Sequence, residues 1–308
     1  MSTLRVDDPV LLDFADEVGD TGPVSIRGAG TRWEVGGALD SSARVLSAPE
    51  GVVEYHAAEM TVRVRAGTSV TELHAQLEQQ RQRTALPDRG GTIGGAVVIG
   101  ENDLAVLGRG SVRSAVLQVR YVSAEAEVVT GGGPVVKNVS GFNVPKLIVG
   151  SLGTLGLVVE VVLRTNPIPE TSLWLMSSEA DPIAARNAVL RPSVVLWDGT
   201  NTWVQLEGYR SDVHAESAVL ADLASFAQTD GPPALPPNRW RLASAEIARL
   251  DAHDTGKFVA SVGVGTLWAQ RPQPERNVDA GSASVAQRMK QFFDPTARLN
   301  PGRRVGRP

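Results

Sequence analysis

Four glycine clusters dominate the first half of the chain: RGAGT (27–31), GGTIGG (90–95), GGGPVVKN (131–138) and GSLGTLG (150–156). Each lies beside an expected helix or strand end. Glycine allows positive φ and lets another atom stand where a Cβ would be, and successive N–H groups in such loops form concavities for anions. An ordinary turn needs one or two glycines. Four clusters within about 130 residues, on this reasoning, point to one extended anionic ligand threaded between loops; the alternative is a set of turns in a glycine-rich β protein. Of the 31 glycines, 22 fall in residues 1–156, which splits the chain into a backbone-driven binding region and a more conventional second region.

Familiar phosphate motifs do not account for the clusters. A P-loop ends in Gly-Lys-Ser/Thr, which is absent here. RGAGT starts like a dinucleotide fingerprint but lacks its third glycine, and RWEVGGAL follows where an amphipathic helix should begin. With 308 residues, two domains or subdomains are expected. A net charge of −4 gives no reason to expect a nucleic acid or an anionic membrane surface as partner. The chain has no cysteine, which excludes disulfides, thiolate metal sites and iron–sulfur ligation by its own residues. No apolar run reaches about 18 residues, and acids interrupt the apolar stretch of MSTLRVDDPVLLDFADEV, unlike a signal peptide. A cytoplasmic location is expected, with peripheral attachment through a partner left open.

Periodicity supplies a coarse map. Helix spacing covers 10–18, and VSI (24–26) is a short strand. MTVRVRAG (60–67) alternates like a half-buried strand and runs into a helix from Ser69, with Glu72 at capping-box distance and Val70, Leu73 and Leu77 on one face. Two strands flank a polar turn at 124–127, NVPKLIV is a short helix, and LVVEVVLRT (157–165) is a strand. The second region mixes strands at 202–209 and 257–268 with helices at 214–227 and 283–293, and GPPALPPNRW (231–240) reads as a surface loop. The class is α+β, without the regular alternation of a doubly wound parallel sheet.

Taken in order, RGAGT, the AGT-plus-helix at 66–83, GGTIGG, GRGSVRSAVLQVRYVSAEAEVV and KNVSGFNVPKLIVGSLGTLGLVVEVVLRT resemble the FAD-binding domain of the vanillyl-alcohol-oxidase, or PCMH-type, flavoproteins. The KNVSGFNVPKLIVGSLGTLG stretch, WRLASA (240–245) and FFDPTARLNPGR (292–303) are similar to the E-type FAD-binding subunits of bacterial glycolate oxidases. The resemblance covers most of the chain. It implies a PCMH-type FAD-binding domain of two subdomains over 1–167, and over 168–308 a smaller antiparallel α+β cap whose tail returns to the FAD domain.

The same resemblance implies roles. The amides of Gly28, Ala29, Gly30 and Thr31 would hold the diphosphate, with Thr92, Gly94 and Gly95 along it or the ribityl chain. Gly110 and Ser111 would open the second subdomain beside the flavin, and Gly153, Thr154, Gly156 and Leu157 would pass close to the adenine or isoalloxazine edge. Lys137 and Asn138 either contact the flavin ring or sit at the surface. Arg27 and Arg32 either balance phosphate charge or are exposed. Many relatives tether FAD through a histidine in the first glycine loop; here Gly30-Thr31 stands there, so non-covalent FAD is expected. Where relatives carry small residues after GGTIGG-AVV, this chain has Gly100-Glu101-Asn102-Asp103, and two acids near a flavin would disfavour an anionic reduced ring. No catalytic base stands out and no metal site is expected: His74 reads as solvated on its helix, and His56, His214 and His253 lack ligand spacing.

The function implied is that of an FAD-binding subunit of a 2-hydroxy-acid, glycolate-type, dehydrogenase or oxidase, accepting or relaying electrons. Its expected partners are a second FAD-containing catalytic subunit and an iron–sulfur subunit. A non-catalytic scaffold subunit and a self-sufficient small oxidase are the alternatives.

Overall fold

The run LVVEVVLRTNP forms the strand Leu157–Pro167, buried along nearly its whole length. A continuous apolar run of this kind needs cover on both faces, and the first half of the chain is arranged to provide it. The computed structural model describes residues 7–133, 143–243, 246–247, 252–274 and 279–305. Two compact units emerge: Met1–Asp103 with Ser111–Pro167 and Asn277–Arg307, and Leu104–Gly110 with Ile168–Arg276. Within the stretch read as 1–167, residues 104–110 thus group with the second unit, and 277–307 group with the first.

In the first unit, antiparallel strands run in the order Val52–His56, Thr61–Arg65, Leu157–Pro167, Val116–Val122, Val128–Gly132, and Gln82–Thr84 also pairs with the long strand. One core joins Val62, Val64, Val119 and Leu163 of this sheet to Leu73 and Leu77 of the helix Val70–Glu78 and to Ile93 and Val97 of the helix Ile93–Ile99. A second core brings Val122, Leu157 and Val159 against Leu11 and Phe14 of the helix Pro9–Val18 and Leu299 of the tail. Helix starts follow the capping residues: Asp8 accepts from the amide of Val10, Ser69 from that of Glu72, and Thr92 from that of Gly95. The helix opened by Thr92 was not expected. GGTIGG reads as a loop because two glycines sit in its first turn, yet the cap and the apolar AVVI that follows set a helix.

The alternation in TVRVR also carries more than the expected half-buried face. Its charged side does not meet water. Glu160, 1% exposed, sits between the strands, and its Oε1 receives Arg63 Nη1 at 3.1 Å and Arg120 Nη1 at 2.9 Å. Arg65 Nη1 lies 3.3 Å from Glu160 Oε2, and Arg65 Nη2 donates to Asp8 at 2.6 Å. The register places Arg65 and Arg120 directly opposite Glu160 on its two neighbouring strands. Glu160 thus gathers three guanidiniums that the sequence alone would send to solvent, with Asp8 on Arg65 and Glu54 on Arg63 completing the charge balance.

The tail, carrying FFDPTARLNPGR, completes the unit. Asp294, buried, accepts from the amides of Arg298 at 3.0 Å and Leu299 at 2.8 Å and from Lys290 Nζ at 2.5 Å. Arg298 spends its guanidinium on the carbonyls of Val18, Thr21, Gly22 and Ala124. The tail then runs parallel to the short strand Val24–Ile26: the amide of Val24 bonds Arg298 O at 2.9 Å, and that of Asn300 bonds Val24 O at 2.9 Å.

The second unit is a seven-stranded antiparallel sheet in the order Ala227–Thr229, Thr171–Ser177, Thr202–Gly208, Pro192–Trp197, Phe258–Ser261, Thr266–Ala269, Asn238–Arg241. The helices Pro182–Ala188 and Arg210–Leu223 place Ala185, Val213 and Leu220 against Val195, Val204 and Leu206 of the sheet. Two expectations need correction here. The single strand at 257–268 is a hairpin, broken by Gly263 (φ 82°) and Gly265 (φ 76°). The helix at 214–227 starts earlier and ends at Leu223.

Loss of Glu160 should be costly, because breaking a buried ion network by removing one partner destabilises by about 3–5 kcal/mol. Glu160→Gln should lower the urea midpoint accordingly. Burial works against the charge on Asp8, but the hydrogen bond and charge of Arg65, together with the amides of Leu11 and Val10, outweigh it and hold the carboxyl below its ordinary value. The stabilisation this carboxylate gives is present above its unfolded pKa, about 3.9, and is lost as pH falls through the lower folded value. The melting-temperature gap between wild type and Asp8→Asn should therefore narrow as the pH is taken from 5 down past 3.

Candidate cofactor site

Three of the glycine clusters meet in the first unit around a cavity of about 490 Å³, a size usual for a bound organic ligand. Their glycines first serve one another. Gly94 passes so close to Ala66 that a Cβ there would stand 2.9 Å from the Ala66 Cβ, and the amides of Ile93 and Gly94 bond Thr68 O and Ala66 O, both at 2.8 Å. A side chain at Gly28 would collide with Thr92. A Cβ on Gly100 would lie 2.9 Å from the amide nitrogen of Gly150. Gly150 and Leu152 donate their amides to Val97 O at 3.1 Å and Val98 O at 2.9 Å, so GSLGTLG supplies donors for the last carbonyls of the helix Ile93–Ile99.

Of the residues expected at the cofactor, Gly28, Ala29, Gly30, Thr31, Thr92, Gly94, Gly95, Gly153 and Leu157 line this cavity. The others have different surroundings. Gly156 packs on the ring of Tyr121, where a Cβ would clash. Thr154 donates to Ser151 O at 2.7 Å, and its carbonyl receives Lys290 Nζ at 2.8 Å. Gly110 ends the helix Val106–Arg109 in the second unit, and Ser111 caps the helix Val112–Ala115 in the first. Lys137 and Asn138 lie outside the described residues.

The loop 27–33 fits a diphosphate. The amides of Arg27 and Trp33 are bonded to Leu46 O and Gly30 O, but between them the amides of Gly28, Ala29, Gly30 and Thr31 have no partner among the described residues. Gly30 sits at φ 75°. A run of unpaired N–H groups lining a cavity is an anion-binding arrangement. The cations around it are sorted by what they touch. Arg27 carries no carboxylate among the described residues; its guanidinium lies 5.0 Å over the ring of Trp33, which Arg303 of the tail approaches at 4.6 Å. Burial pushes the pKa of Arg303 down, the charge of Glu34 opposing it. Arg32 is instead paired with Glu101, whose other oxygen pairs with Arg89.

Several lining residues are not assigned to the site by the sequence: Ser69 and Val70, read there only as parts of their helix, and Trp33, Arg89, Asn300 and Arg303. The NPGR tail was a signal for the last two. Asn300 bonds Ser25 and stands against Gly153, which puts the tail into the cavity wall. Glu101, expected as a bare acid, is in fact neutralised by two arginines. His74 is half-buried, with its Nε2 2.8 Å from Thr84 Oγ1. Among the described residues there is no cluster of three or more metal-ligating side chains and no helix long and apolar enough to cross a membrane.

A glycine-walled cavity with free amides, on this α+β fold, suits an extended anionic ligand such as a dinucleotide. Residues 14–132 match the family model described as FAD binding domain. The chain is similar to "Glycolate oxidase subunit GlcE" of Escherichia coli (strain K12), with 25% identity over 93% of both chains. A "D-lactate dehydrogenase" of Archaeoglobus fulgidus is 30% identical over 51% of this chain and 36% of its own. "Glycolate oxidase subunit GlcD" of Bacillus subtilis (strain 168) is 35% identical over 32% of this chain and 21% of its own. Among solved structures, an alkyldihydroxyacetonephosphate synthase superposes with a TM-score of 0.66 at 14% identity, covering 94% of this chain and 74% of that one, which establishes likeness of fold.

Gly30→Val places a branched side chain at positive φ beside the Arg27 guanidinium and over the unpaired amides. It should abolish FAD binding, read as loss of the flavin absorbance after gel filtration, while the second unit keeps its far-ultraviolet circular dichroism.

Proposed function

We propose that this chain is the non-covalent FAD-binding subunit of a 2-hydroxy-acid dehydrogenase or oxidase complex of the glycolate type. The observation that carries the reading is the match to a glycolate oxidase subunit over 93% of both chains, joined to a cavity whose free amides suit a dinucleotide. The first glycine loop holds no histidine, which supports binding without a covalent tether.

Bound FAD supplies two-electron chemistry at its ring. The chain's own residues bind and orient it. The amides of 28–31 take the diphosphate with no side chain to reorganise, Arg27 balances its charge from the face of Trp33, and Gly153 and Leu157 let the cofactor lie against backbone. Glu101, held by Arg32 and Arg89, presents little net negative charge to it.

Having no cysteine, the chain cannot itself ligate an iron–sulfur cluster, so a relay through one needs companions. On this reading they are a second FAD-containing catalytic subunit and an iron–sulfur subunit, in a cytoplasmic assembly or one peripheral to the inner membrane. The purified chain should be yellow, or turn yellow with added FAD, and should release all its flavin on acid precipitation. Alone, it should reduce flavin with glycolate or D-lactate far more slowly than the co-purified complex. Equal rates alone and in the complex would make it a self-sufficient oxidase; a chain that never takes up FAD would leave only a scaffold.

A further inference from the structure

Glu101 leaves the C-terminal end of the helix Ile93–Ile99 at a fixed place. Gly100 adopts φ 66° and packs on the Gly150 backbone, where a Cβ would stand 2.9 Å from the Gly150 nitrogen, so neither residue can be exchanged without moving the turn. From there the carboxylate, 10% exposed, divides itself: Oε1 takes Arg32 Nη2 from the first glycine loop, and Oε2 takes Arg89 Nη1 from the segment before GGTIGG. All three residues line the cavity. Arg32 lies one residue beyond the four unpaired amides. The turns that follow it carry the bonds Trp33 N to Gly30 O, Val35 N to Arg32 O and Gly37 N to Glu34 O, at 3.2–3.3 Å, and the tail holds their far end through Arg304 N on Gly36 O at 2.8 Å and Arg303 Nη1 on the carbonyls of Val35 and Gly37. At the near end, beside the unpaired amides, the loop is attached instead by the Arg32 side chain through Glu101.

We infer that Glu101 is a positioning residue for the cofactor, a two-sided bracket that fixes the first glycine loop and the 87–91 segment against the end of the helix Ile93–Ile99. The feature is specific to an acid. Glutamine fits the same space but offers a single acceptor oxygen, and its amide nitrogen would face a guanidinium. Two charge-assisted hydrogen bonds become at most one neutral acceptor bond. The loop amides then sample positions in which they no longer converge on one anion, so the cofactor must order them on binding. This rests on FAD being the ligand, and the test separates the two ideas.

The variants Glu101→Gln, Glu101→Asp, Arg32→Gln and Glu101→Gln/Arg32→Gln are compared in the full chain by two measurements. The first needs no cofactor: hydrogen exchange of the 31–37 segment in FAD-free protein should rise at least tenfold in Glu101→Gln, with exchange in the second unit unchanged. The second is FAD affinity by flavin-fluorescence titration. Glu101→Gln and Arg32→Gln should each weaken it about tenfold, the double variant should be no weaker than the worse single, and Glu101→Asp should recover part of the loss. Unchanged exchange, unchanged affinity, or losses that multiply in the double variant would overturn the bracket. Wild-type protein that binds no FAD, yet shows the exchange difference, would sink the cofactor reading and leave the bracket standing.

Discussion

The first unit depends on neighbours approaching glycine backbone at distances that a side chain on the glycine would forbid. Gly94 against Ala66, Gly100 against Gly150 and Gly28 against Thr92 draw segments far apart in sequence into one wall. The first two approaches are accompanied by hydrogen bonds that would otherwise be missing: Gly94 on Ala66 O, and Gly150 and Leu152 on the last carbonyls of the helix Ile93–Ile99. Close approach thus satisfies buried polar backbone and shapes the cavity in the same step. The amides of 28–31 are left over by this arrangement, and they are what a diphosphate would use.

Charge follows a parallel logic. Two acids, Glu160 in the sheet and Glu101 at the cavity, each collect arginines from different segments. The first secures the sheet interior and the second secures the loops. What remains uncommitted near the free amides is Arg27, laid on Trp33. The site is thereby close to neutral before a ligand arrives, with one cation available where phosphate charge would come.

Much of the plan was legible in the sequence. Period located the helix Pro9–Val18, a capping serine and period located the start of Val70–Glu78, whose expected run to 83 gives way to the strand Gln82–Thr84, and the apolar run located the long central strand. The order of glycine clusters pointed to the FAD-binding fold. The failures have physical causes. The helix Ile93–Ile99 was hidden by glycines that exist for its neighbour, Ala66, and not for a turn. The charged side of TVRVR reads as solvent-facing because its partner, Glu160, lies about a hundred residues away, and nothing local announces it. The same holds for Arg89 and Arg32, whose meeting point on Glu101 is set by the fold. Gly156 shows the converse: a glycine attributed to a ligand is required by a tyrosine ring.

The parallel pairing of the tail with the strand Val24–Ile26 bears on biosynthesis. Asn300 and Arg303 form part of the cavity wall, yet they are translated after the entire second unit. A nascent chain can fold that later unit while its earlier one still lacks a side. The cavity wall is thereby completed only by residues made after the later unit's own segment, so the site cannot be whole before that segment has been synthesised.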